Sequence, residues 1–273
     1  MAGELRYPCK VVIVTGGTRG IGEATMREFV RQGAKVVFCA PECERERGEA
    51  LQRELEESSC PGEARFVICD VLCEKDIENL VSVTIHLYGC LDCLVNNAAI
   101  FPPLQEIDNV TAEDFRYVID TNVVGYFLAA KYALPHLRKT KGNIINLSSI
   151  VAVIGYSNAI AYVASKVTQD TETSYQGQID PNNLSSSILP GNILTPLWQR
   201  LLSEAPDPQS RFREAIDEQP LGRLGTPEEI ALVALFLASE ATFCTGADIS
   251  VTGGVELGFG LKNRQETTKG IKD

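Results

Sequence analysis

The chain has 273 residues, 44% of them hydrophobic, and a formal net charge of -11, with a pI near 4.8. That length suits one large α/β unit with a substantial core. The negative charge argues against nucleic acid or an anionic membrane as the main partner, although local donors can still hold a small anionic ligand. Nine scattered cysteines and two histidines give no metal-ligand spacing beyond the lone pair Cys90 and Cys93, so no metal is expected. The N-terminal MAGELRYPCK has no apolar stretch, and no segment approaches transmembrane length. With reduced thiols, this predicts a soluble, cytosolic protein that spans no membrane.

In chain order, short β-branched runs predict strands at 11–15, 35–39, 65–69, 91–95, 143–147, 184–189 and 248–252. Helical periodicity fills the intervals near 21–32, 42–57, 74–88, 111–139 and 227–239. This alternation predicts an α/β fold, a single Rossmann-type doubly wound parallel sheet of about seven strands with helices on both faces. No repeat or linker divides the chain. Residues 1–261 read as one dinucleotide-binding and catalytic domain, and 262–273 as a polar, mobile tail.

Directly after the first strand comes Thr15-Gly16-Gly17-Thr18-Arg19-Gly20-Ile21-Gly22, directly before a helix. Glycines there allow a tight turn and close approach of backbone to a pyrophosphate, and the helix start offers free N–H groups. The spacing is G-x-x-x-G-x-G, a loose fit to the commoner dinucleotide fingerprint. The second strand runs into Ala40-Pro41-Glu42. Ala40 cannot bind a ribose hydroxyl, whereas Glu42 can reach it from the following turn and repel a 2′-phosphate. Arg45 and Arg47 pull the other way, so NAD is favoured and NADP stays open. Asp70, after the third strand, is a candidate for the adenine amino group or simply a turn residue.

Tyr162-Val163-Ala164-Ser165-Lys166 places a phenol and an ammonium one helical turn apart on one face. A nearby positive charge favours the phenolate and makes the hydroxyl usable as an acid or base. An ordinary amphipathic helix is the competing reading of this pentapeptide alone.

The glycine loop, Asn96-Asn97-Ala98-Ala99, Asn122, Ser149 thirteen residues before Tyr162, Y-x-x-x-K and Pro190-Gly191 together resemble the short-chain dehydrogenase/reductase family over about residues 9–260. Segments such as NIINLSS, PGNILTPLW and VTGGVELGFG look like a branch acting on 17β-hydroxysteroids and L-fucose-type sugars. The resemblance implies that Tyr162 exchanges the proton with the substrate oxygen. Lys166 would lower the tyrosine pKa and hold the nicotinamide ribose, Ser149 would fix the reacting oxygen, and Asn122 would hold a water linking Lys166 to solvent. It also implies a cofactor site of Gly16, Thr18, Arg19, Gly20, Ile21, Gly22, Glu42, Asp70, Val71, Asn97, Tyr162, Lys166, Pro190, Ile193 and Thr195. A homotetramer is implied as well.

One segment departs from the family pattern. After Lys166 the chain reads VTQDTETSYQGQIDPNN, poor in helix formers and without an apolar core-facing stripe. Reduced stability and weakened subunit pairing are the expectations there. Ala99 also stands where the family carries glycine. Candidate substrate contacts are Phe101, Tyr156, Asn192 and Trp198, with Ile100, Ile154, Leu197 and Leu202 around them. These apolar walls suit a steroid-sized hydroxyl or ketone without excluding a sugar lactol. The leading expectation is an NAD-dependent oxidoreductase acting on a secondary hydroxyl of a small-molecule substrate. The alternative is a dinucleotide-binding protein with little turnover, serving as subunit partner or sensor.

Overall fold

Continuous β-branched runs build strands buried on both faces, and here they assemble into one parallel sheet. The computed structural model describes residues 4–179 and 183–257. Its strands are β1 (Val11–Thr15), β2 (Lys35–Ala40), β3 (Glu63–Ile68), β4 (Cys93–Asn96), β5 (Asn143–Leu147), β6 (Leu184–Pro190) and β7 (Ala247–Val251), in the order β3-β2-β1-β4-β5-β6-β7. The order reverses between β1 and β4, so a crevice opens at their carboxyl ends.

Helices cover both faces. On one lie α1 (Gly20–Arg31), α2 (Arg45–Glu57) and, near the chain's end, α10 (Pro227–Ser239). Met26, Phe29, Val30, Leu51, Ile230 and Leu235 pack there against Val12, Val14, Ile145 and Ile188. The other face carries α3 (Glu74–Tyr88), α4 (Ala112–Ile119), α5 (Gly125–Thr140) and α7 (Ile160–Ile179). Ile77, Leu80, Leu128 and Leu137 pack there on Ile13, Leu94 and Ile144. Three short helices follow the sheet's carboxyl end, α6 (Val151–Ile154), α8 (Pro196–Glu204) and α9 (Pro208–Asp217), and α8 lines the crevice.

Two expectations change. The single helix predicted over 111–139 is two helices joined by a π-helical turn, Asp120–Val124, in which the Gly125 N–H bonds back to Asp120 O. Such widened turns carry no compositional mark and recur at functional sites. The segment after Lys166 does form a regular helix, α7, although its buried face is polar. Ser165, Lys166, Gln169 and Thr173 are all at most 2% exposed, and hydrogen bonds take the place of the missing apolar stripe. Asn146 on β5 donates to Thr173 Oγ1 at 2.8 Å, and Ser187 and Ser185 on β6 donate to Asp170 and Gln176 at 3.1 Å each. The expected tail, 262–273, lies outside the described residues. Among the described residues no helix is long and apolar enough to cross a membrane.

Candidate active site

The crevice is a cleft of about 1160 Å³ running from the glycine loop to α8. Its first wall is built by small residues. A Cβ on Gly22 would lie 2.2 Å from Gly16 O, so α1 can pack directly on the loop only because glycine stands there. Gly20 has φ +58°, and a Cβ on it would point across the gap to Thr195, 3.5 Å away. The first N–H groups of α1 have no side-chain cap, since Arg19 at the N-cap makes no capping bond. An open gap, free N–H donors and a helix dipole fit a pyrophosphate. Thr18, Arg19 and Ile21 line the same wall, and Pro190 and Thr195 face it. Thr195 also caps α8, accepting from Trp198 N at 3.2 Å.

At the far end lie Ala40, Asp70 and Val71. Asp70 lines the cleft and accepts from Leu72 N at 3.0 Å, a turn bond. Glu42 is displaced from the position expected of it. It is exposed and accepts from Arg45 at 2.8 Å, which holds its carboxyl below the usual range. Two residues on, Glu44 lines the cleft, pairing with Arg19 and accepting from Thr18 Oγ1 at 3.4 Å. Arg47 is occupied with Thr18 O and Glu23, and does not line the cleft. Asn97 stitches β4 to β1, donating to Thr15 O at 2.9 Å and Gly16 O at 3.1 Å. Ile193 is buried beneath the loop, in a backbone bridge to Gly225.

The floor of the cleft holds Tyr162 and Lys166. Tyr162 stacks on Phe101 with ring centroids 4.5 Å apart, and the Lys166 ammonium lies 5.4 Å from the Tyr162 ring centre. Burial pushes the Tyr162 phenol up to about 12, with the nearby Ser149 hydroxyl acting against it. Burial likewise drives Lys166 down to about 7, opposed by the charge of Asp170. Desolvation therefore outweighs the mutual effect expected of the pair. Lys166 Nζ donates to Leu147 O at 2.8 Å and to Gln169 Oε1 at 2.9 Å. Asn122 is fully buried on the π turn. Its side chain accepts from Ile100 N at 2.9 Å and donates to Ile100 O and Ser165 Oγ at 3.0 Å each, which fixes the strand-end segment carrying Phe101.

Of the expected substrate contacts, only Phe101 lines the main cleft, with Leu197 and Ile100 beside it. Tyr156 borders a neighbouring cavity, its hydroxyl accepting from Arg211. Asn192 is spent on Ala215 O at 3.3 Å and Glu218 at 3.2 Å, while Trp198 packs edge-on against Phe212 at 6.1 Å. Polar groups that the sequence reading passed over stand at the mouth instead, namely Gln105, Asp114, Asn158, Arg200 and Glu204. Gln169 was also missed, although its spacing from Tyr162 and Lys166 puts all three on one helix face.

A family model described as enoyl-(acyl carrier protein) reductase matches residues 16–256. An L-fucose dehydrogenase of Bos taurus is 49% identical over 267 residues, covering 97% of this chain and 96% of that one. The chain belongs to the short-chain dehydrogenase/reductase family. An L-fucose dehydrogenase of Mus musculus is 47% identical over 264 residues, covering 96% and 94%. Among solved structures, the aldohexose dehydrogenase of Thermoplasma acidophilum matches with a TM-score of 0.83 at 31% identity, covering 93% of this chain and 97% of that one. As a short-chain dehydrogenase/reductase the chain is an oxidoreductase that works with a nicotinamide dinucleotide, and the cleft geometry fits that cofactor.

Proposed function

We propose that this oxidoreductase oxidises a ring hydroxyl of an L-fucose-type sugar with NAD. The observation that carries the proposal is the cleft's division of labour. One end is shaped for a dinucleotide, Tyr162 and Lys166 line the cleft beyond it, and Gln105, Asn158 and Glu204 add polar groups to the same lining. A sugar needs several such partners, whereas a steroid needs few. The similarity to L-fucose dehydrogenases supports the same choice. The apolar wall of Phe101 and Leu197 keeps a 17β-hydroxysteroid as the competitor to be tested.

NAD is preferred because Glu44, paired with Arg19 in the cleft lining, is a carboxylate that would accept from a ribose 2′-hydroxyl and repel a 2′-phosphate. When bound, the nicotinamide supplies the hydride acceptor. The chain supplies everything else. Tyr162, as phenolate, takes the proton of the substrate hydroxyl, Ser149 holds that oxygen in place, and Lys166 stabilises the phenolate. With the phenol pushed up to about 12, oxidation speeds up as pH rises through the neutral and alkaline range. Residues 1–261 act as one unit, in a cytosolic homotetramer.

The test is full-length protein titrated with NAD and NADP, followed by L-fucose, other aldoses and 17β-hydroxysteroids read at the reduced-nicotinamide absorbance. Turnover with L-fucose and NAD is expected. Steroid turnover without sugar turnover would move the substrate class. Cofactor binding with no turnover on any of them would leave a silent dinucleotide-binding protein.

A further inference from the structure

The Lys166 ammonium is 2% exposed, so its hydrogen-bond partners must come from the protein. Two of its three donors are met, one by the Leu147 carbonyl on β5 and one by Gln169 Oε1. Gln169 is itself 1% exposed. Its other end, Nε2, donates to the backbone carbonyl of Asn122 on the π turn. Chemistry fixes which way this amide points. An ammonium can only donate and a carbonyl can only accept, so the oxygen must face Lys166 and the nitrogen Asn122.

One neutral side chain thus joins the ammonium, the π turn and, through the Asn122 bonds to Ile100, the segment that seats Phe101 on Tyr162. We propose that Gln169 is a positioning residue for this reaction, holding Lys166 against Tyr162 and leaving the ammonium without a permanent carboxylate partner, so that its charge can be lost and regained. The proposal rests on the reading of Tyr162 as the acid/base group. A carboxylate in the same place would lock the charge on. An apolar side chain there would leave the ammonium with one acceptor and take the side-chain donor away from Asn122 O.

Other charged and titratable groups around Lys166 are few. On α7 these are Tyr162 and Asp170, and on α5 Tyr126, whose ring centre lies 5.8 Å from Nζ. Asp248 of β7 reaches the site only through Ser187, which bonds both aspartates. Asp170 is the one carboxylate whose charge acts on the ammonium, and no direct ion pair links the two among the described residues.

The experiment compares the pH dependence of sugar oxidation in wild type, Gln169→Glu and Gln169→Met, beside Tyr162→Phe. In Gln169→Glu the limb of kcat/KM set by Lys166 should move up by about one pH unit, because a carboxylate beside the ammonium favours its charged form. In Gln169→Met the same limb should move down, because the buried ammonium loses an acceptor, and kcat should fall about tenfold. Variants that fold as wild type and only lower the rate at every pH, with the limb unmoved, would overturn the proposal. If neither variant folds, the wild type decides by NMR. Protected Gln169 side-chain amide protons that shift as the lysine titrates are expected, and freely exchanging ones overturn the inference. Undiminished turnover in Tyr162→Phe would instead sink the acid/base reading, whatever Gln169 does.

Discussion

The strands β5 and β6 show two ways of covering one sheet. Towards α10, Ile145, Leu147 and Ile188 meet Ile230, Ala234 and Leu235, an apolar interface with one polar edge where Asn143 donates to Ala238 O at 3.0 Å. Towards α7, alternate positions of the same strands present Asn146, Ser185 and Ser187, which bond Thr173, Gln176 and Asp170. The period of two along each strand delivers both faces. An apolar contact loses stability in proportion to the atoms removed, but a buried polar network loses a satisfied partner at each break. Tyr162 and Lys166 sit on the polar side, where burial shifts both. The apolar side serves as support.

The largest expected effect of breaking this contrast is chemical. Tyr162→Phe should lower kcat about 10²–10⁴-fold, the usual scale of a lost acid/base group, with NAD affinity retained in a binding titration. Next comes Leu235→Ala on the apolar side, expected to cost about 2–5 kcal/mol by denaturant unfolding and to leave the pH profile of turnover unchanged. On the polar side, Thr173→Val removes no volume but strands the Asn146 amide, and should cost about 1–3 kcal/mol.

The pH response sharpens the contrast further. Burial raises Glu172 to about 7, with Gln176 opposing. The folded form then binds more protons than the unfolded between the ordinary carboxylate value and 7, so stability falls as pH rises through that window. Lys166 is shifted the opposite way, down to about 7. Its folded form binds fewer protons between 7 and the ordinary lysine value, so stability from this group rises with pH there. Glu172→Gln should therefore stabilise the protein at pH 8 by about 1–2 kcal/mol and do little at pH 4, by thermal melts at the two values. The smallest effect is on the cofactor. Glu44→Ala should shift the NAD-to-NADP preference towards NADP by about tenfold, read as the ratio of dissociation constants.

Most of the sheet was legible because its strands are continuous apolar runs, and α3 was legible because Glu74 starts and Gly89 ends a clean periodic segment. The glycine loop and Tyr162–Lys166 spacing were legible because both are local. What escaped depended on contacts between distant segments. Nothing local in VTQDTETSYQGQ signals that Asn146, Ser185 and Ser187 wait across the gap to bond it, so a good helix read as a doubtful one. Glu42 and Glu44 differ by less than one turn, and only the course of the backbone decides which faces the cleft. Tyr156 and Asn192 looked free in sequence, yet Arg211 and Glu218 from α9 and its end occupy them.

The central claim is that Tyr162, on a polar helix face, performs proton transfer in nicotinamide-dependent sugar oxidation. Its most direct test is the initial rate of NADH formation from L-fucose between pH 6 and 10, in wild type and Tyr162→Phe. The account predicts a wild-type rate that climbs with pH, and a variant that binds NAD yet stays at background throughout. A variant turning over L-fucose at the wild-type rate with the same pH dependence would contradict it.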